Sequence, residues 1–329
     1  MSSTERPSED SLIARFFAPI AGEGGLGLQD DAARLTPTPG QDLVLTVDAL
    51  VERIHFLPED APGSLARKSL GVNVSDLAAK GADPVGFLLS LALPENWTEE
   101  WLAAFAAGLG EASRDFSCPL LGGDTVKTKG PLTLSVTAIG EVPTGRMVRR
   151  ASARAGDLIC VTGTIGDAAL GLKLRSAPAW SENLSPEDKA HLADRYLHPR
   201  PRHRLAEALR DHASAAMDVS DGLAGDLAKM LRASGVSALI EADRVPLSGA
   251  AARVVQDFPD LLDLALTGGD DYEILCTVPE MDLDSFRKEA DRVGIALSVI
   301  GRVVSGDDLP VFRMNGLERR YDVGSYQHF

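Results

Sequence analysis

Apolar and polar positions along this chain follow two periods, and the points where one gives way to the other mark its elements. Leu12, Ile13, Phe16 and Phe17 fall on one helical face behind Ser8, with Glu9 and Asp10 at the positive end, which predicts a helix that stops before Pro19. Beyond a glycine-rich run, residues 43–46 are apolar or β-branched without interruption and predict a buried strand ending at Asp48. Helical spacing returns over 64–80, with Gly81 as its stop. Residues 85–93 read as the next strand, and Thr98 caps a helix carrying Trp101, Leu102, Phe105 and Leu109. A further strand covers 132–142.

The segment 146–156 is basic and alanine-rich and then turns, which divides the chain into domains at 1–148 and 149–329. Past it the pattern restarts: a strand over 158–162, the turn Gly163-Thr164-Ile165-Gly166-Asp167, and a helix over 168–175. Polar helices over 186–196 and 201–212 follow, then a strand at 215–219, a helix at 223–234 and a strand at 237–242. A helix at 283–293, a strand at 296–304 and an Asn315-Gly316 hairpin turn close the chain. This alternation predicts two α/β or α+β domains of similar size.

Composition narrows the function. A length of 329 residues exceeds one ordinary core, so two domains are expected and disulfide staples are not needed. The cysteines Cys118, Cys160 and Cys276 are odd in number and far apart, as in a reduced, cytoplasmic protein. The first ten residues lack the basic-then-apolar order of a signal peptide, and the longest apolar stretch, 85–93, is about half of the ~20 residues that span a bilayer. A formal charge of −15 without a basic cluster argues against nucleic-acid binding, which needs Lys and Arg to neutralise phosphates. What calls for explanation is the surplus of carboxylates.

Aspartates recur where predicted strands end or loops begin: Asp30-Asp31, Asp48, Asp76, Asp124, Asp218, Asp221 and Asp270-Asp271, many beside glycine. Singly, each reads as a turn or cap residue. Together they would repel unless a hard divalent cation intervenes, and a set with almost no His or Cys favours Mg²⁺, which completes its shell with waters and substrate phosphates. No Walker A loop, kinase catalytic loop or dinucleotide fingerprint is present, so any ATP use must come through another fold. GTIGD is either an anion cradle at a helix start or a plain strand-to-helix turn.

Seven separated motifs then agree in order with one family: Gly27-Leu28-Gln29-Asp30-Asp31-Ala32, Thr46-Val47-Asp48 with His55-Phe56, the run from Asn73 to Pro84, Gly122-Gly123-Asp124-Thr125, GTIGD, Asp218-Val219-Ser220-Asp221-Gly222-Leu223, and Gly268-Gly269-Asp270-Asp271-Tyr272-Glu273. The chain resembles the thiamine-monophosphate kinase family, within the aminoimidazole ribonucleotide synthetase-like ATP-binding superfamily. The resemblance implies an α+β fold: a ferredoxin-like, dimerising N-terminal α/β domain and a C-terminal α/β sandwich. It implies a homodimer with joined N-terminal sheets, and ATP-dependent conversion of thiamine monophosphate to thiamine diphosphate with several Mg²⁺ ions between the domains. It puts Asp31, Thr46, Val47, Asp48, Asp76, Asp124, Asp218 and Asp221 at metal positions. Gly123, Asp124, Arg150 and Ser220 fall at ATP positions, and His55, Asp270 and Tyr326 at the thiamine phosphate.

Two of these positions depart from the family pattern. Val47 stands where Thr is common, which leaves only its backbone carbonyl for a metal, and Asp270 stands where Glu is common, one methylene shorter. Taken without the family, His55 reads as a half-buried loop histidine, Arg150 as part of a solvated linker, and Tyr326 as either an apolar anchor or a site residue. A phosphate acceptor is already deprotonated near neutral pH, since its second pKa is ≈ 6. Direct in-line transfer without a covalent nucleophile is therefore expected. Rival readings are another enzyme of the superfamily, disfavoured because residues 22–27 hold neither Cys nor Lys, and a non-catalytic Mg²⁺ or nucleotide binder, disfavoured because every motif is intact.

Overall fold

The structure is a computed structural model that describes residues 7–314, 316–322 and Gly324. It divides into an N-terminal unit, residues up to Leu77 with Asp83–Thr144, and a C-terminal unit, Ala78–Ala82 with residues from Gly145 onward. Both mix helices and sheets, so the fold is α+β.

In the N-terminal unit, α1 (Glu9–Leu12) is capped by the Ser8 hydroxyl, which accepts the Ser11 N–H, and continues as a π-turn over Ile13–Phe17. It leads by way of short 3₁₀ turns to β1 (Gln41–Val51), α2 (Pro62–Ala79), β2 (Asp83–Leu93), α3 (Glu99–Asp115), β3 (Leu120–Lys127) and β4 (Thr133–Pro143). Thr98 caps α3 as expected, accepting the Trp101 N–H at 3.1 Å. The four strands form one sheet in the order β1-β4-β2-β3, antiparallel except for the β2–β3 pair. Strand β3 was not foreseen, because Gly122-Gly123 reads as loop. At an edge those glycines serve close approach: a Cβ on Gly123 would lie 1.9 Å from the Leu89 carbonyl oxygen.

One face of this sheet is the core. Val44, Leu50, Phe87, Leu89, Leu91, Leu134, Val136 and Ala138 are buried on it, with Leu70, Leu77, Phe105 and Leu109 supplied by the helices. The opposite face of β1 is open: Leu45 is 64% and Val47 60% exposed, beside exposed Leu43 and Leu88. The expectation of a buried strand at 43–46 is therefore corrected. An edge strand covered on one side places every second apolar residue in solvent.

The C-terminal unit contains β5 (Leu158–Thr162), α4 (Asp167–Leu174), α5 (Pro186–Leu197), α6 (Ala206–His212), β6 (Ala215–Asp218), α7 (Leu223–Ser234) and β7 (Ser237–Glu241). It continues through α8 (Gly249–Asp257), α9 (Leu261–Thr267), β8 (Ile274–Val278), α10 (Leu283–Arg292), β9 (Leu297–Val304), β10 (Val311–Met314) and β11 (Leu317–Arg319). Its seven strands run β11-β10-β7-β9-β5-β8-β6, with β10–β7 the single parallel pair. Strands β10 and β11 make the expected hairpin around Gly316 (φ 78°); Asn315 lies outside the described residues.

Alternation along β5 shows why the unit is layered. Ile159 and Val161 pack with Leu223, Leu227 and Met230 of α7 and Leu266 of α9, whereas Leu158 and Cys160 pack with Leu209 of α6 and Phe286 of α10. Both faces of the central strands are thus buried under helices. Cys160 and Cys276 lie opposite each other on β5 and β8, and all three cysteines are free and buried.

Candidate active site

Two of the N-terminal carboxylates, Asp48 and Asp76, lie on the covered side of β1. Thr46 and Asp48 alternate with the exposed residues and so point the same way, toward α2. The Thr46 hydroxyl donates to Asp76 Oδ2 at 2.5 Å, and the Asp48 backbone N–H donates to Asn73 Oδ1 at 3.1 Å. Asn73 precedes Asp76 by one helical turn, so a single face of α2 sets both contacts. Asn73 is itself fully buried and anchored by donating from Nδ2 to the Ser69 carbonyl. Sequence reasoning missed its role; the i, i+3 spacing to Asp76 was the available signal. Val47 points to the opposite, exposed face, consistent with a part played only by its backbone carbonyl.

The other N-terminal candidates lie apart from this cluster. Asp31 is exposed on the bend ahead of β1, where its N–H donates to Asp30. Asp124 is also exposed, on β3, three strands from β1 and so about 14 Å away at ordinary strand spacing. Its register partner Ser90, itself across from Ser135, puts it on the open face, not with Asp48. Gly123 lies beside it on the same strand.

His55 follows β1 in a tight turn closed by Arg53 at φ 68°, and its own N–H donates to the Val51 carbonyl. Its ring is oriented: Val51 N–H donates to His55 Nδ1 at 3.0 Å. A nitrogen that accepts carries no proton, so the neutral ring holds its proton on Nε2. The side chain of Lys68, 2% exposed, donates to the His55 carbonyl at 3.4 Å.

In the C-terminal unit two carboxylate loops are stitched together. Asp270 N–H donates to the Ser220 carbonyl, Tyr272 N–H to the Val219 carbonyl and Val219 N–H to the Glu273 carbonyl, each at 2.8 Å. The second loop is strained, with Asp270 at φ 72° and Tyr272 at φ 51°. Two buried acids hold it there. Asp271 accepts Gly166 N–H at 2.7 Å and Ala168 N–H at 3.3 Å at the start of α4. Glu273 accepts from Thr162, Arg195 and Arg202, with Arg195 Nη2 donating to Oε1 at 2.9 Å. Burial pushes the Asp271 carboxyl well above the usual range, against the two N–H bonds. GTIGD is therefore a turn whose donors an internal carboxylate already fills. Asp270 and Tyr272 are left half-buried and buried beside the first loop, the Tyr272 hydroxyl donating to Asp270 Oδ1 at 3.3 Å.

The first loop is fixed by a residue that sequence reasoning also missed. Asp226, fully buried in the first turn of α7, accepts Ser220 N–H at 3.0 Å and Asp221 N–H at 2.9 Å on one oxygen. Its other oxygen binds Lys229, whose ammonium also lies on Asp221. Burial raises the Asp226 pKa over the opposing pull of Lys229. Burial also draws the Lys229 pKa down, but its bonds to Asp221 and Asp226 outweigh that, and the net shift is upward. Asp218 is buried at the end of β6, two residues before Ser220. Arg150 is exposed, its carbonyl accepting the Ser234 hydroxyl, and Tyr326 lies outside the described residues.

The donor chemistry fits a hard cation. Thr46, Asp48 and Asp76 offer oxygen only, and among the described residues no group of three or more His, Cys, Asp or Glu is placed to hold a metal ion by itself. One or two carboxylates with the remaining positions left to water and phosphate is the Mg²⁺ pattern rather than that of Zn²⁺ or Ca²⁺.

Comparison with known proteins gives a consistent picture. Residues 29–142 match the AIR synthase related protein N-terminal domain, and residues 154–312 match its C-terminal domain. The thiamine-monophosphate kinase of Salmonella typhimurium is 41% identical, over 98% of each chain. The crystal structure of thiamine-monophosphate kinase from Stenotrophomonas maltophilia K279a superposes with a TM-score of 0.80 at 40% identity, covering 89% of this chain and 91% of that one. A structure of AaThiL complexed with AMPPCP and TMP superposes with a TM-score of 0.77 at 30% identity over the whole of both chains.

Proposed function

The chain belongs to the thiamine-monophosphate kinases of the AIR synthase related family, and from that membership we infer how its own residues carry the activity. It is an ATP-dependent kinase that phosphorylates thiamine monophosphate to thiamine diphosphate. The observation that carries the residue-level reading is the oxygen cluster of Thr46, Asp48 and Asp76, held by Asn73 on one face of α2. Mg²⁺ ions would be held in the N-terminal unit by these three residues, Asp31 and the Val47 carbonyl, and in the C-terminal unit by Asp218 and Asp221. When bound, such ions supply charge neutralisation on the transferring and leaving phosphoryl oxygens. Gly123, Asp124, Arg150 and Ser220 are assigned to ATP. His55 Nε2–H is assigned as a donor to the thiamine phosphate, with Asp270 positioned by its strained loop and by Tyr272; Tyr326 completes the expected set.

No residue need remove a proton from the acceptor, because a phosphate monoester is largely dianionic at neutral pH. The chain's task is to orient two anions for in-line attack and to offset their repulsion. No phospho-enzyme is part of this reading.

The open face of the N-terminal sheet supports a homodimer. Leu45 and Val47 on an edge strand are the kind of surface a monomer hides. Asp124 shares that face at the opposite edge of the sheet, and so lies on the other side from Asp48 within one copy. No helix among the described residues is long and apolar enough to cross a membrane, and the three free thiols support a reducing, cytoplasmic setting.

The test is direct: incubate the protein with ATP, Mg²⁺ and thiamine monophosphate and resolve the products chromatographically. Thiamine diphosphate should form, and Asp76→Asn should lower turnover at least a hundredfold with the circular dichroism unchanged. Near-normal turnover in that variant would overturn the role of Asp76. A phosphorylated enzyme that passes its phosphate to thiamine monophosphate would overturn in-line transfer.

A further inference from the structure

In the C-terminal unit, a carboxylate assigned to the divalent cation already holds a cation of the chain's own. Lys229 Nζ lies 2.5 Å from Asp221 Oδ2 and 2.9 Å from Asp226 Oδ1. The three groups differ in freedom. Asp226 is fully buried and pinned by two backbone N–H groups, so it cannot follow a ligand. The Asp221 side chain is 39% exposed and lies on the loop. The Lys229 ammonium ends a flexible four-carbon stem that is 34% exposed, so it can leave Asp221 while staying on Asp226.

A divalent ion bound to Asp221 would stand within a few ångströms of this ammonium. At 4 Å even two single charges repel appreciably in water, and a doubly charged ion repels twice as strongly. The ammonium and the ion therefore compete for one carboxylate. Asp226, holding the loop from below, keeps Asp221 in place whichever of them is bound.

We propose that Lys229 is an internal competitor for the divalent cation at Asp221, which makes ion binding there depend on the added negative charge of the ATP phosphates. Without nucleotide the ammonium neutralises Asp221 and keeps the loop closed. With ATP present, the phosphates tip the balance and the ammonium retreats to Asp226. Lys229 thus acts as a positioning residue that orders the binding steps, nucleotide with cation rather than cation first. The proposal rests on the assignment of Asp221 as a cation ligand.

Binding of Mn²⁺ to the full chain, read by the electron paramagnetic resonance signal of the free ion, tests both ideas separately. Without nucleotide, Lys229→Gln should tighten one class of Mn²⁺ site by roughly tenfold, and a non-hydrolysable ATP analogue should narrow the gap from wild type. Lys229→Arg, which keeps the charge, should bind as wild type does, and Lys229→Met gives a second neutral variant that retains the stem. Unchanged or weaker Mn²⁺ binding in both neutral variants would overturn the competition. Adding Asp221→Asn to Lys229→Gln should abolish the tightened site; tightened binding that survives it would instead overturn Asp221 as the ligand.

Discussion

At the scale of single residues, His55 shows how a backbone contact sets the chemistry of a side chain. The Val51 N–H on Nδ1 leaves Nε2 as the proton-bearing nitrogen, so the ring is a donor at neutral pH without needing a charge. Two isosteric replacements separate the turn from the donor. His55→Asn keeps an acceptor near Nδ1 but has nothing at Nε2. It should retain the wild-type melting temperature while raising the KM for thiamine monophosphate tenfold to a hundredfold, about the 1.5–3 kcal/mol of a hydrogen bond to a charged group. His55→Gln should do the reverse, keeping part of the affinity at some loss of stability. Equal KM values for the two variants would remove His55 from the substrate. In the sequence His55 is visible only as a histidine beside a phenylalanine. Its tautomer depends on a turn with Arg53 in the left-handed region, which no spacing rule announces.

At the scale of elements, the start of α4 illustrates a motif with two readings that only tertiary structure separates. Glycine-rich turns before helices expose N–H groups to any acceptor, and here the acceptor is the Asp271 carboxyl, distant in sequence. Removing it should cost more than a cap. Asp271→Ala leaves the buried donors of Gly166 and Ala168 unfilled. We expect a loss of about 2–6 kcal/mol in urea unfolding, about 1–3 for each donor. Asp271→Asn, still able to accept one N–H, should lose less. Helices with a long, clean period were legible: α3 and α7 fall where the pattern put them. Helices α8 and α9 and strand β8 were not, since runs of five to nine residues rich in Ala, Val and Leu satisfy either period. Within the site, the aspartates and glycines were legible, whereas the supports Asn73, Asp226 and Lys229 were hidden by looking like ordinary helix surface.

At the scale of the whole molecule, the chain's acidity and its open apolar face point in different directions. Fifteen net negative charges keep copies apart, while Leu43, Leu45 and Val47 invite one specific partner. If pairing uses that face, the 34.9 kDa chain should sediment at twice its mass, and Leu45→Glu should sediment as single chains with reduced turnover. A wild-type protein that stays monomeric at micromolar concentration would end the dimer reading. The pattern of residues 43–46 predicted a strand correctly and its burial wrongly, because an apolar run reports that something must cover it without saying whether the cover belongs to the same chain.

The buried thiols carry a consequence of another kind. Burial pushes Cys118 up to about 12, and the neighbouring Cys160 thiol together with burial pushes Cys276 well above its usual value, so neither forms a thiolate while the fold is intact. In the unfolded chain Cys118 returns to about 9, so the folded form holds the extra proton: its share of stability is whole below pH 9 and drains away as pH climbs toward 12. Below that window a thiol reagent is blind to the native molecule and sees each copy only when it opens. The three cysteines are a stopwatch already wired into the interior, timing how often the protein lets go of its own shape.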